Sequence, residues 1–203
     1  MKVQGKVGQQ ILSNGSESDL RMSKNGSLVV MQGGGKYNES VVAGSVYIGA
    51  NLGGTPVTTQ AGLSATTPAL TLYNPVGSGV YLSLLSVSVD ITTSPAAAAG
   101  LMLAYNLATA VAPTTVTTAN VTNALIGTAK QPTAACYRIA TLAAAPLAFR
   151  FIGGTTGAAA ISSTQLIDKI DGEVLVGPGT AISIQATSAI AILASFCWEE
   201  IPI

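Results

Sequence analysis

Apolar residues in this chain recur at every second position, in short runs separated by clusters of proline, glycine, threonine and alanine. That period sends successive side chains to opposite faces of an extended strand and cannot hold an apolar stripe on a helix. Leu70 and Leu72 alternate with Thr71 and Tyr73 before the turn segment Asn74-Pro75-Val76-Gly77-Ser78-Gly79. Leu101, Leu103 and Tyr105 alternate with Met102 and Ala104, and Leu147, Phe149 and Phe151 with Ala148 and Arg150. Ile182 and Ile184 alternate with Ser183 and Gln185, while Ile190, Ile192, Ala194, Phe196 and Trp198 share one face. The longest run, about residues 80–92, changes parity: Leu82 and Leu84 share one face, Leu85, Val87, Val89 and Ile91 the other. Leu84-Leu85 therefore marks a β-bulge or a strand buried on both faces.

Runs and turns spaced in this way predict an all-β chain, an antiparallel sandwich or barrel over residues 46–203 rather than βαβ units. Helix signals are few. Thr164–Lys169 is compatible with one helical turn capped by Ser162 or Ser163. Asn106–Gly127 reads as a long loop holding a short helix or an edge strand. No repeat of fixed period occurs. Residues 1–45 differ from the rest: polar, charged and glycine-rich, with Gly33-Gly34-Gly35 in the middle. One strand candidate, Ser27–Gln32, follows the turn signal Asn25-Gly26. This region reads as an extended N-terminal arm, with a loose tail or a first strand pair as the alternative.

The distribution of charge limits what such a sandwich can be. Residues 40–167 hold only four charged side chains, Asp90, Lys130, Arg138 and Arg150, and eight others precede Ser40. Charged residues make up 9% of the chain and cancel to a formal net charge of zero. A free domain carries about a quarter, mixed in sign over its surface. Much of this surface is therefore expected to face protein. Mean hydropathy is positive, yet no apolar run approaches the roughly 18 residues of a spanning helix. Aromatics, at 5%, are too few for the girdles of an outer-membrane barrel. No membrane partner is expected. Met1-Lys2-Val3-Gln4-Gly5-Lys6 lacks the apolar stretch of a signal peptide, which points to a product made in a cytoplasm. There, two free, buried thiols at Cys136 and Cys197 fit better than a disulfide. No basic run suggests a nucleic-acid partner.

Candidate chemistry is sparse. The chain has no histidine, the commonest general base and transition-metal ligand, so its serines lack an activating partner. No Ser-x-x-Lys pattern replaces it. Asp168, Asp171 and Glu173 could offer oxygen ligands to a hard cation, but their spacing does not fit an EF-hand loop. Gly172 makes a solvated turn into a strand Glu173–Val176 the simpler reading. Gly33-Gly34-Gly35 and Gly153-Gly154 lack the lysine of a phosphate loop. Cys197, between Phe196 and Trp198, reads as a small core residue, and Trp198 as core or interface. Glu199 and Glu200 mark a return to solvent. No catalytic, metal or cofactor site is expected. A glycan-binding sandwich would need exposed aromatics, for which Tyr37, Tyr47 and Tyr105 are the candidates.

Four stretches together carry a family resemblance: Leu20-Arg21-Met22-Ser23-Lys24-Asn25-Gly26-Ser27-Leu28, Leu72-Tyr73-Asn74-Pro75-Val76-Gly77-Ser78-Gly79, Gly172-Glu173-Val174-Leu175-Val176-Gly177-Pro178-Gly179-Thr180, and Trp198-Glu199-Glu200-Ile201-Pro202. The chain resembles small tailed-bacteriophage virion proteins with a jelly-roll domain. The resemblance implies a jelly-roll-like antiparallel β-sandwich and a capsid decoration, or cement, protein. It implies a homotrimer on the outer surface of the virion, bound to the major capsid protein of the same virus and made in the host cytoplasm. A tail, neck or fibre component is the alternative. The family has no catalytic residues to carry over. The arm then supplies the candidate partner-binding residues: Leu20, Arg21, Lys24, Leu28, Val30, Met31, Lys36 and Tyr37.

Overall fold

The computed structural model describes residues 35–51, 55–93, 96–106, 111–157 and 164–203. The chain divides into two units, Met1–Glu39 and Ser40–Ile203, and the second is an antiparallel β-sandwich. One short helix, α1 (Asn38–Val42), precedes it. Its C-terminus closes in a Schellman pattern: Gly44, at φ 68°, donates to the Val41 carbonyl, and Ser45 to the Ser40 carbonyl. Among the described residues, no helix is long and apolar enough to cross a membrane.

The strands follow in chain order: β1 (Val46–Ala50), β2 (Val57–Thr58), β3 (Thr71–Asn74), β4 (Val80–Ile91), β5 (Ala99–Asn106), β6 (Thr114–Thr118) and β7 (Asn120–Asn123). After them come β8 (Ala135–Thr141), β9 (Leu147–Thr155), β10 (Thr164–Lys169), β11 (Leu175–Val176), β12 (Thr180–Ala186) and β13 (Ala191–Pro202). One sheet runs β10-β4-β13-β1-β7, with β11 also on β4 and β2 on β13; the other runs β6-β8-β3-β12-β5-β9. The order β1-β13-β4-β10 thus faces β3-β12-β5-β9, and the chain crosses repeatedly between the sheets. That path is jelly-roll-like. Strands β6, β7 and β8 form an insertion that lengthens both sheets. The segment 106–127, expected as a loop with a helix or an edge strand, supplies β6 and β7. Four of the five residues of β6 are threonine, and branching at Cβ favours strand over helix.

Inward-facing side chains from both sheets make one core, including Leu72, Leu82, Val87, Leu103, Ile184 and Trp198. The parity change in β4 is a bulge: Ser86 pairs with Cys197 and Leu84 with Trp198, so Leu85 has no counterpart on β13. The bulge captures a turn. The Leu85 carbonyl accepts from the amides of Ile170 and Asp171, and the Leu84 carbonyl from Gly172. That turn needs positive φ at Asp171 and Gly172, the conformation glycine adopts without cost.

Two local expectations are corrected. Thr164–Lys169 is strand β10, not a helical turn, with Leu166 opposite Val89 and Ile167 opposite Ser88. The free edge of β4 needs backbone partners, and a six-residue helix would leave that edge bare. Cys197 is not a core residue. It faces outward between Ile48 and Ser86, half-buried, while Cys136 is buried. Both thiols are free. Trp198 does lie in the core, stacked on Tyr47 at 5.9 Å between ring centroids. Gly49 makes room for it: a Cβ there would stand 2.7 Å from the Cys136 sulfur and 3.1 Å from the Trp198 ring.

Candidate functional site

Among the described residues, strand β9 is the edge of the six-stranded sheet and β10 an edge of the other, so one flank of the sandwich ends on two edge strands. Arg150 joins them. Its Nε and Nη2 donate to the two Asp168 oxygens at 2.7 and 3.0 Å, and its Nη1 donates to Glu173 at 3.0 Å. A bidentate guanidinium–carboxylate pair is the strongest and most directional form of such a contact. The hydrogen bond to Asp168, then that to Glu173, raises the pKa of Arg150 further above its ordinary value. The acidic group read as a solvated turn is thus in part a clamp. Asp168 is largely enclosed, while Glu173 remains 69% exposed. Among the described residues, no group of three or more acidic or cysteine side chains is placed to hold a metal ion.

Strand β9 carries two bulges. Leu147 opposes Tyr105, Arg150 opposes Leu103 and Phe151 opposes Met102, which leaves Phe149 and Ile152 without partners on β5. Cross-strand partners share a face. Arg150 therefore points inward with Leu103, and Phe151 outward with Met102. The simple alternation of Leu147, Phe149 and Phe151 against Arg150 does not survive in three dimensions. All three apolar side chains are exposed, Phe151 by 76%. Beneath Phe149 a cavity of about 390 Å³ opens between the sheets, lined by Tyr105, Val174, Leu175, Val176 and Ile182. Tyr105 meets Phe149 edge-on at 5.9 Å.

A second apolar strip lies round the corner on the outer face of the seven-stranded sheet. Tyr81 opposes Ile201, and Leu175 opposes Ser83 two residues along the same face. Ile167 projects outward from β10. All four apolar side chains are exposed, Ile167 by 59% and Leu175 by 55%. Between them lie Lys169, Glu199 and small groups, including a hydrogen-bonded Ser88–Ser195 pair at 2.6 Å. Exposed apolar surface of this kind is a candidate contact surface. It offers burial rather than reaction chemistry.

The opposite flank is closed by Glu200. Contrary to the expectation of a return to solvent, Glu200 is 9% exposed. Its carboxylate accepts from the amides of Thr133 at 3.0 Å and Ala134 at 2.8 Å, tying β13 to the approach to β8. Beside it, Tyr47 donates to the Gln131 carbonyl at 3.2 Å and Lys130 to the Ala43 carbonyl at 3.1 Å. Burial first, then the Glu200 charge, raises the pKa of Tyr47. These groups line a cavity of about 440 Å³, but each is already engaged by the protein. The cavity is a joint between the seven-stranded sheet and the segment that leads into β8.

Of the residues anticipated as partner-binding, Leu20, Arg21, Lys24, Leu28, Val30 and Met31 lie outside the described residues. Lys36 and Tyr37 precede the sandwich, with the ammonium 5.3 Å from the ring centroid, a cation–π distance. Of the aromatics weighed for glycan binding, Tyr47 is buried and Tyr105 half-buried. The exposure of Tyr81, Phe149, Phe151, Leu175 and Ile201 was not anticipated. All but Ile201 lie on a predicted strand, but nothing in the sequence says which strands end a sheet. Comparison with protein-family models, curated proteins and solved structures finds no match.

Proposed function

We propose that this chain is a structural virion protein that binds the outer surface of a bacteriophage capsid and stabilises the assembled shell, with no catalytic step. One observation carries the reading: a charge-depleted β-sandwich leaves large apolar side chains exposed along one corner. A domain that works alone in solution keeps such patches small. A domain that works inside an assembly buries them, and interface cores are depleted of charge and enriched in aromatics. The virion, the major capsid protein as partner and a trimer of this chain enter through the four resembling stretches.

The mechanism on this reading is mass action. A protein that binds the assembled shell and not its free subunits stabilises the shell by RT ln(1 + [L]/Kd) per site, about 2.7 kcal/mol when the free protein is at a hundred times Kd. The test is co-sedimentation of the purified full chain with virus shells, and separately with tails. Saturable pelleting with shells, together with a higher shell disruption temperature, is the expected result. A protein that stays in the supernatant with shells overturns the capsid reading, and pelleting with tails alone moves it to the tail.

A further inference from the structure

We draw no further inference here: the strongest candidate, the apolar corner where the outer-face strip of Ile167 and Leu175 meets the β9 edge with Phe149 and Phe151, carries nothing, because Asp90, Lys169 and Glu199 beside it favour no one partner and nothing in the structure shows what covers it.

Discussion

Cys136 shows how closely single residues are fitted here. Its sulfur occupies the space that Gly49 leaves empty, beside the Trp198 ring, so thiol, glycine and indole act as one unit. Burial pushes its pKa up from an ordinary 9.0 to about 12. A raised pKa means the folded protein holds the proton more tightly than the unfolded chain does. Its stabilising effect is complete below about pH 9 and is lost as pH rises toward 12, by at most about 1.4 kcal/mol per pH unit for one proton. The melting temperature of the wild type should therefore fall above pH 9. Cys136→Ala should melt lower at pH 7, because a buried sulfur is lost, but its decline between pH 9 and 10 should be shallower. Burial also raises Tyr47 and Tyr137 above their ordinary 10.0, so both proteins should decline beyond pH 10. Parallel curves from pH 7 to 10 would show that this thiol does not titrate with unfolding.

At the scale of elements, strands β9 and β10 depend on one another through Arg150. Replacing Arg150 with Met leaves Asp168, 15% exposed, without its partner. The expected cost is about 1–3 kcal/mol in urea unfolding, the range for leaving an enclosed polar group unsatisfied. Removing both members with Arg150→Met and Asp168→Leu should recover most of it, as apolar replacements of enclosed ion pairs do. Amide exchange in β9 and β10 should quicken in the single variant; unchanged protection there would mean the strands hold without the clamp. None of this was legible in the sequence, because Arg150 and Asp168 stand 18 residues apart with no periodicity linking them. Legibility followed range. The alternation within β4, and the Leu84-Leu85 break that becomes its bulge, are properties of adjacent residues and could be read directly. The six residues of β10 were too few to separate strand from helical turn, and the edge of β4 decided the outcome. The apolar alternation of β9 was read correctly as a strand. Its two bulges, which send Phe151 outward while Phe149 lies over the cavity, depend on a partner strand no local pattern identifies.

Across the whole molecule, four of the charged side chains of the sandwich serve as joints. Arg150, Asp168 and Glu173 fasten one flank, and Glu200 fastens the other. The broad face between them carries serine, alanine and exposed apolar groups with three charges, Asp90, Lys169 and Glu199, set among them. The described core lies within the sandwich, for its members run from Tyr47 to Trp198. A chain lacking residues 1–39 should therefore keep a single cooperative thermal transition. Its midpoint should lie within about 4 °C of the full chain, the shift that about 1 kcal/mol produces in a domain of this size. If residues 1–39 also carry attachment, as the candidates Leu20, Arg21, Lys24, Leu28, Val30, Met31, Lys36 and Tyr37 require, the truncated protein should pellet less with shells while keeping its own oligomeric mass. Loss of the cooperative transition would place those residues in the core. Unchanged pelleting would transfer attachment to the sandwich itself, leaving its broad face and apolar corner as the surfaces to test.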